Sequence, residues 1–289
     1  MYGIVAYGDA ATVCLDVATK PMPHCCALVC YYPSTVPHPN AKYPTQLNLV
    51  LHLTVSQGFV PKFKYFSYSN VEPGFAEHDL PEFNSVAAGL AWTRSLAAIR
   101  RGFKREADLE SVRSNHIALS IGHRDAARTI ANMVPDAHVN YGPTMTGGVG
   151  KRALYHFYED FFGPCIPESF ATKLISRTSG VDRIIDEFIV SFRHNIEMPW
   201  ILPGVPPTNR QVELTMVSIV GVRGNKLVSE HVYWDQASVL VQIGALDPSN
   251  VPEALKSEGC TRLPVIGAKA ARKILNPEGY ANNDLIQDW

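Results

Sequence analysis

Four polar or polarisable side chains, His231, Tyr233, Trp234 and Asp235, fall within the five-residue stretch HVYWD. They stand where an apolar strand-like run gives way to the helix-like QASVLVQIG. Side chains alternate along a strand, so His231, Tyr233 and Asp235 share one face and Glu230, Val232 and Trp234 the other. If the first face lines a half-apolar pocket, burial raises the Asp235 pKa and a nearby imidazolium lowers it. The carboxyl is then tuned for proton transfer. The simpler alternative is an aspartate that caps the turn DQAS.

Other residues fit the walls of such a pocket. In VDRIIDEFIVSFRHN, the side chains of Ile184, Asp186, Phe188, Val190, Phe192 and His194 share a strand face, an apolar row with an acid near one end and a histidine at the other. Asp186, Phe188 and Phe192 are candidate substrate contacts, and His194 is a candidate to tune or share a proton. A satisfied histidine at a strand terminus explains His194 equally well. The proline-stiffened EMPWILPGVPPT offers Trp200 and Leu202 to close a pocket mouth, or simply to pack. Tyr141, after a strand carrying His138, is placed to donate a hydrogen bond to a developing enolate. Tyr158 is the best candidate of the helix before EDFF, with Tyr233 a further contact.

Several chemistries are disfavoured. TGGVGK lacks the first glycine and the following Ser or Thr of a phosphate-cradling loop. His24, His38 and His52 have no matched carboxylate spacing. His116 and His123, seven residues apart on a helix, stand about 10 Å apart, too far for one ion. The expectation is a site with no metal and no cofactor.

Composition frames these residues. The chain has 289 residues, 46% hydrophobic and 18% charged, with a formal net charge of −1. That describes a globular protein with a substantial core and no basic block to track nucleic acid. No apolar run approaches a membrane span, and the N-terminus lacks a basic region and a cleavage site. Six cysteines, two of them adjacent, read as reduced core thiols rather than a disulfide framework. A soluble cytoplasmic protein is expected, with no membrane partner.

The elements fall into two groups. GIVAYG, CALVCYYP and LNLVLHLT are strands covered on both faces, with KYFSYS a fourth. DLPEFNSVAAGLAWTRSLAAIRRGF is a long amphipathic helix with Asp79 as N-cap and Phe83, Val86, Ala87, Leu90, Ala91 and Ile99 on its buried face. Then come the helices LESVRSNHIALSIGHRDAARTIANM and GKRALYHFYEDFFG, followed by ATKLISRTSG, VDRIIDEFIVSFRHN, RQVELTMVSIVGVRG and NKLVSEHVYWD as strands turned at glycines. Helices before a long antiparallel meander predict an α+β cone, a curved sheet wrapping helices around a pocket. In the polar tail, AKAARKIL is a short docking helix.

Two resemblances sharpen this reading. Over about residues 108–247, PTMTGGVGKRALYHFYEDFF, VDRIIDEFIVSFRHN, LPGVPPTNRQVEL and GNKLVSEHVYWDQASVLVQIGAL resemble the SnoaL-like polyketide cyclases of the NTF2-like superfamily. The resemblance implies a cone-shaped α+β barrel, often dimeric, with a cofactor-free acid–base pocket whose acid or base at the end of the last strand is Asp235. The first third resembles the C-terminal part of dienelactone hydrolases, of the α/β-hydrolase superfamily, through GIVAYGDAATV, ALVCYYP and VEPGFAEHDLPEFNSVAAGLAWTRSLAAIRR. That family needs a cysteine at the elbow, an aspartate and a histidine. Here the elbow falls on Gly8, the histidine position on Pro73, and HLTVSQGFVPKF holds no aspartate. Glycine supplies no thiolate and proline no base, so this part reads as a truncated, inert scaffold. The resemblance to fungal proteins that join such segments implies a secondary-metabolite setting.

The expected organisation is a hydrolase-like scaffold at 1–105, a SnoaL/NTF2-like domain at 106–247 and a tail at 248–289. The expected function is cofactor-independent isomerisation, cyclisation or dehydration of a polyketide or meroterpenoid-type intermediate by a homodimer. Asp235 moves the proton, His231 or His194 tunes it, and Tyr141 or Tyr233 stabilises an oxyanion. Two alternatives stay open: a lactone or ester hydrolase using activated water, and a non-catalytic small-molecule-binding or interaction protein.

Overall fold

The computed structural model describes residues 1–105 and 107–286. The chain divides into two compact units, Met1–Ala107 and Asp108–Trp289. No helix among the described residues is long and apolar enough to cross a membrane. Cys14, Cys25, Cys26, Cys30, Cys165 and Cys260 carry free thiols.

The first unit is built on a parallel sheet in the order β1-β2-β3-β4, with β1 at Tyr2–Tyr7, β2 at Cys25–Tyr31, β3 at Asn48–Thr54 and β4 at Tyr65–Tyr68. Every residue of β2 is buried, as its unbroken apolar run requires of a central strand. Helix α1 (Gly8–Val17) starts directly after β1 on Gly8, whose φ of +53° suits glycine at this sharp turn. Helix α2 spans Ser85–Phe103 and is capped by Asn84, which accepts from the Ala87 amide. The cap is therefore not Asp79; DLPEF forms turns before the helix begins. The buried face also differs from expectation. Ala87, Ala91, Ser95, Ala98 and Gly102 face inward, whereas Val86 and Leu90 are exposed. Small residues let α2 lie close to β2: a Cβ on Gly102 would stand 2.4 Å from the Cys26 carbonyl oxygen.

The second unit holds a six-stranded sheet in the order β6-β5-β10-β9-β8-β7. Its strands are β5 (Met133–Tyr141), β6 (Thr146–Val149), β7 (Ala171–Ser179), β8 (Arg183–Arg193), β9 (Gln211–Arg223) and β10 (Lys226–Trp234). All neighbours are antiparallel except β5 and β10, which are parallel. The segment expected as one helix breaks after Gly122 into α3 (Leu109–Ile117), a π-helical turn (Ala118–Gly122) and α4 (Ala126–Ala131). Helix α5 (Gly150–His156) likewise runs into a π-helical turn, Phe157–Phe162. After β10 come α6 (Gln236–Ile243), α7 (Glu253–Lys256) and α8 (Lys269–Leu275). The tail is tied to this unit through Arg272, whose Nε donates to Glu213 at 2.7 Å.

Strand β10 settles which side chains face inward. Its register slips between Leu227 and Ser229 against both β5 and β9. Leu227 is buried before the slip, and Glu230, Val232 and Trp234 are buried after it. A bulge inserts one residue and exchanges the two faces of the strand. His231, Tyr233 and Asp235 thus turn away from the interior, the reverse of the face that would carry them into a pocket.

Candidate active site

Helix α3 supplies the centre of the site. Asp108 caps it by accepting from the Ser111 amide. One face then presents Arg113, His116, Ile117 and Ser120, spaced by three, four and seven residues as a helix stripe requires. Arg113, 4% exposed, meets three adjacent strands. Its Nε donates to Asp186 of β8 at 3.0 Å, its Nη2 to Ser218 of β9 at 3.1 Å, and its Nη1 to Glu230 of β10 at 2.8 Å. Ser218 also donates to Glu230 at 2.9 Å, and His116 Nε2 donates to the other Glu230 oxygen at 3.3 Å. Arg177 of β7 holds Asp186 from the far side, with contacts of 2.6 and 3.0 Å.

Two arginines thus balance two carboxylates inside the sheet. Burial alone would push Glu230 up, but the Arg113 charge, with His116 and Ser218, holds it well below the usual carboxylate range. Asp186 is held low in the same way, burial being outweighed by Arg177 and Arg113. Both acids are therefore anions, and neither is a proton donor at neutral pH. Two polar atoms beside them are buried without a partner: His116 Nδ1 and the Tyr158 hydroxyl. The His116 and Tyr158 rings meet edge to face at 6.2 Å.

Arg113 and Glu230 open onto a cavity of about 40 Å³, walled by Tyr141, Phe162, Phe188 and Trp200 and floored in part by Ile117 and Ser120. Both π-helical turns contribute to its wall, through Ser120 and Phe162. A volume of this size holds water rather than an organic molecule, so a substrate must widen it. Burial raises the Tyr141 and Tyr158 phenols well above their ordinary value, and the Glu230 charge adds to the shift. Both are neutral hydroxyls, able to donate.

The structure brings together only part of the residue set read from the sequence. Tyr141, Phe188 and Trp200 line the cavity, Asp186 joins the charged cluster beneath it, and Tyr158 is buried beside them. Phe192 is core, stacked on Phe170 at 6.3 Å. Leu202 is buried within its loop, outside the cavity wall. His194 is wholly buried away from the cavity: Nδ1 meets Thr208 at 3.1 Å, Nε2 has no partner, and burial lowers its pKa. Asp235 is the N-cap of α6, accepting from the Ala237 amide at 3.0 Å and the Ser238 hydroxyl at 2.5 Å. Tyr233 is 46% exposed, and His231 contacts His138 on the outer face.

The sequence reading passed over Arg113, Arg177 and Ser218, weighed His116 only as a metal ligand with His123, and set Glu230 on the face away from the pocket. A signal existed in β8 and β9, where Asp186 and Ser218 each interrupt an otherwise apolar inward row. Glu230 does the same in β10, but the bulge hid which row was inward.

Comparison with protein-family models finds no match, and comparison with curated proteins finds none. Solved structures align with about half of the chain. A protein described as a SnoaL-like polyketide cyclase from Jannaschia sp. CCS1 is 13% identical over 50% of this chain and 99% of its own, with a TM-score of 0.40. TsrD from Streptomyces laurentii is 15% identical over 49% and 100%, with a TM-score of 0.40. An NTF2-like protein from Burkholderia thailandensis E264 is 17% identical over 47% and 96%, with a TM-score of 0.35. Likenesses this distant do not bear on activity.

Proposed function

We propose that the second unit is an acid–base enzyme that isomerises, cyclises or dehydrates a polyketide or meroterpenoid-type intermediate, with His116 as the proton carrier. The observation that carries this reading is the His116–Glu230 contact. An anionic Glu230 accepts from Nε2, which fixes the imidazole as the tautomer with its proton there and leaves Nδ1 with its lone pair free. Nδ1 takes a proton from carbon next to a substrate carbonyl and returns it elsewhere. Tyr141 and Tyr158 donate to the enolate oxygen as charge develops. Arg113 keeps Glu230 ionised and in place. The aromatic wall suits a planar conjugated substrate. Asp235 acts in this scheme as a helix cap. The same reading includes a soluble cytoplasmic homodimer, which sedimentation tests.

A water-sized cavity lined by Glu230, the carboxylate that holds His116, supports a second reading, hydrolysis of a lactone or ester by activated water. Product mass separates the two, since hydrolysis adds one water and isomerisation none. The test of the first reading is hydrogen–deuterium exchange at the carbon acid 2-tetralone in D2O, followed by NMR. The wild type accelerates exchange, His116→Gln abolishes the acceleration, and Asp235→Asn keeps it. Equal acceleration by wild type and His116→Gln, with folding intact, removes His116 from the chemistry.

A further inference from the structure

On the outer face of the six-stranded sheet, His138 of β5 and His231 of β10 meet with their Nε2 atoms 3.1 Å apart. Register sets Ser229 opposite His138 and Asn140 opposite His231, so each imidazole leans across the gap between parallel strands. Both side chains are half-buried, each with access to solvent. Two neutral imidazoles at this separation share one proton.

The same separation suits two ligands of one ion. Nitrogens about 2.0–2.1 Å from a first-row metal and 3.1 Å apart subtend roughly 98° at it, near the angle of neighbouring ligands in tetrahedral, square-planar and octahedral sites. Rings aimed at a shared ion would bring their centroids to about 4.8 Å by that geometry. They stand 5.2 Å apart with planes at 46°, a difference that side-chain rotation at a half-exposed site supplies.

We infer that His138 and His231 form a two-imidazole site for a divalent transition-metal ion, with solvent at the remaining positions. Imidazole nitrogen selects zinc, copper or nickel over magnesium and calcium. Among the described residues no group of three or more His, Cys, Asp or Glu is placed to hold a metal, so the site is open and its affinity moderate. On binding, the imidazole that donated Nε2–H carries its proton on Nδ1, and no proton is lost. The positive charge of Arg183 acts on His231 and opposes a bound cation. The site departs from the metal-free expectation of the sequence, and it lies on the face opposite the acid–base cavity, so it does not depend on the proposed function.

Titration calorimetry of the full chain with ZnSO4 and with CuCl2, and electron paramagnetic resonance of the copper form, test this. The expected result is one saturable ion per chain with coupling to two imidazole nitrogens. Affinity falls about tenfold or more in His138→Asn and in His231→Asn, and rises in Arg183→Gln. If one histidine variant fails to fold, the other decides. No saturable binding by the wild type, or unchanged affinity and nitrogen coupling in the histidine variants, overturns the site and leaves the 3.1 Å contact a hydrogen bond.

Discussion

Glu230, in the middle of β10, and Asp235, the residue just after its end, stand five positions apart, one buried and the other exposed. Glu230 is 5% exposed and ion-paired with Arg113, whereas Asp235 caps α6 in solvent. A cap and a proton carrier respond differently to the same change. Asn caps nearly as well as Asp, so Asp235→Asn leaves turnover within a few-fold and melting temperature almost unchanged. Asp235→Ala loses the cap and about 1 kcal/mol of stability, seen as a lower denaturant midpoint. A fall of a hundredfold in turnover for Asp235→Asn would return the chemistry to that residue.

Arg113 holds two buried carboxylates at once. Arg113→Met fills much of its volume but leaves Glu230 without its arginine, and Asp186 with Arg177 alone, and costs about 3–5 kcal/mol by urea unfolding. Arg113→Met combined with Glu230→Gln recovers part of that loss, because one stranded charge is gone. If the double variant is no more stable than the single, charge balance is not what the cluster provides.

In the first unit, His52 lies wholly buried between the Tyr68 hydroxyl and Ser95, each 2.9 Å from a ring nitrogen. Burial, reinforced by the Arg94 charge, pushes its pKa down to about 3. The unfolded chain protonates it near 6.5, so stability is complete above that pH and falls as pH drops from about 6.5 towards 3. The slope approaches about 1.4 kcal/mol per pH unit. Urea midpoints at pH 7 and pH 5 measure it. His52→Gln should flatten the decline, and an identical decline in that variant would assign it to other groups.

Gly102 gives the sharpest steric test. Gly102→Ala raises helix propensity but drives its Cβ into the Cys26 carbonyl. Net destabilisation of about 1–3 kcal/mol is expected. Cys14→Ala and Cys25→Ala, in the same unit, should leave turnover unchanged. Loss of activity in a folded cysteine variant would overturn the inert-scaffold reading.

Most strands of both units were legible because their periods are simple; β6 was not, since Thr146–Val149 holds two glycines and no alternation. β2 is apolar throughout, and the inward row of β8, from Ile184 through Asp186 to Phe192, follows strict alternation. The cavity wall was legible in part for the same reason, since Tyr141, Phe188 and Trp200 are large and apolar enough to be drawn inward. The charged cluster was not. Arg113 and Glu230 belong to the most solvent-loving residue types, and only their pairing across 117 positions makes burial tolerable. That partnership is invisible until α3 and β10 are packed. Val86 and Leu90 misled in the opposite direction: the close approach of α2 to β2 left room only for alanine, serine and glycine.

The slip between Leu227 and Ser229 also makes the chemistry of the interior depend on the course of the backbone rather than on the identities of residues. With every residue kept and the bulge straightened, alternation from Leu227 would present His231 and Tyr233 to the interior, whereas deleting a single position there would leave Glu230 and Val232 inward. β10 therefore encodes two sets of reactive groups, and the presence of the bulge, not a change of side chain, selects which of them faces inward.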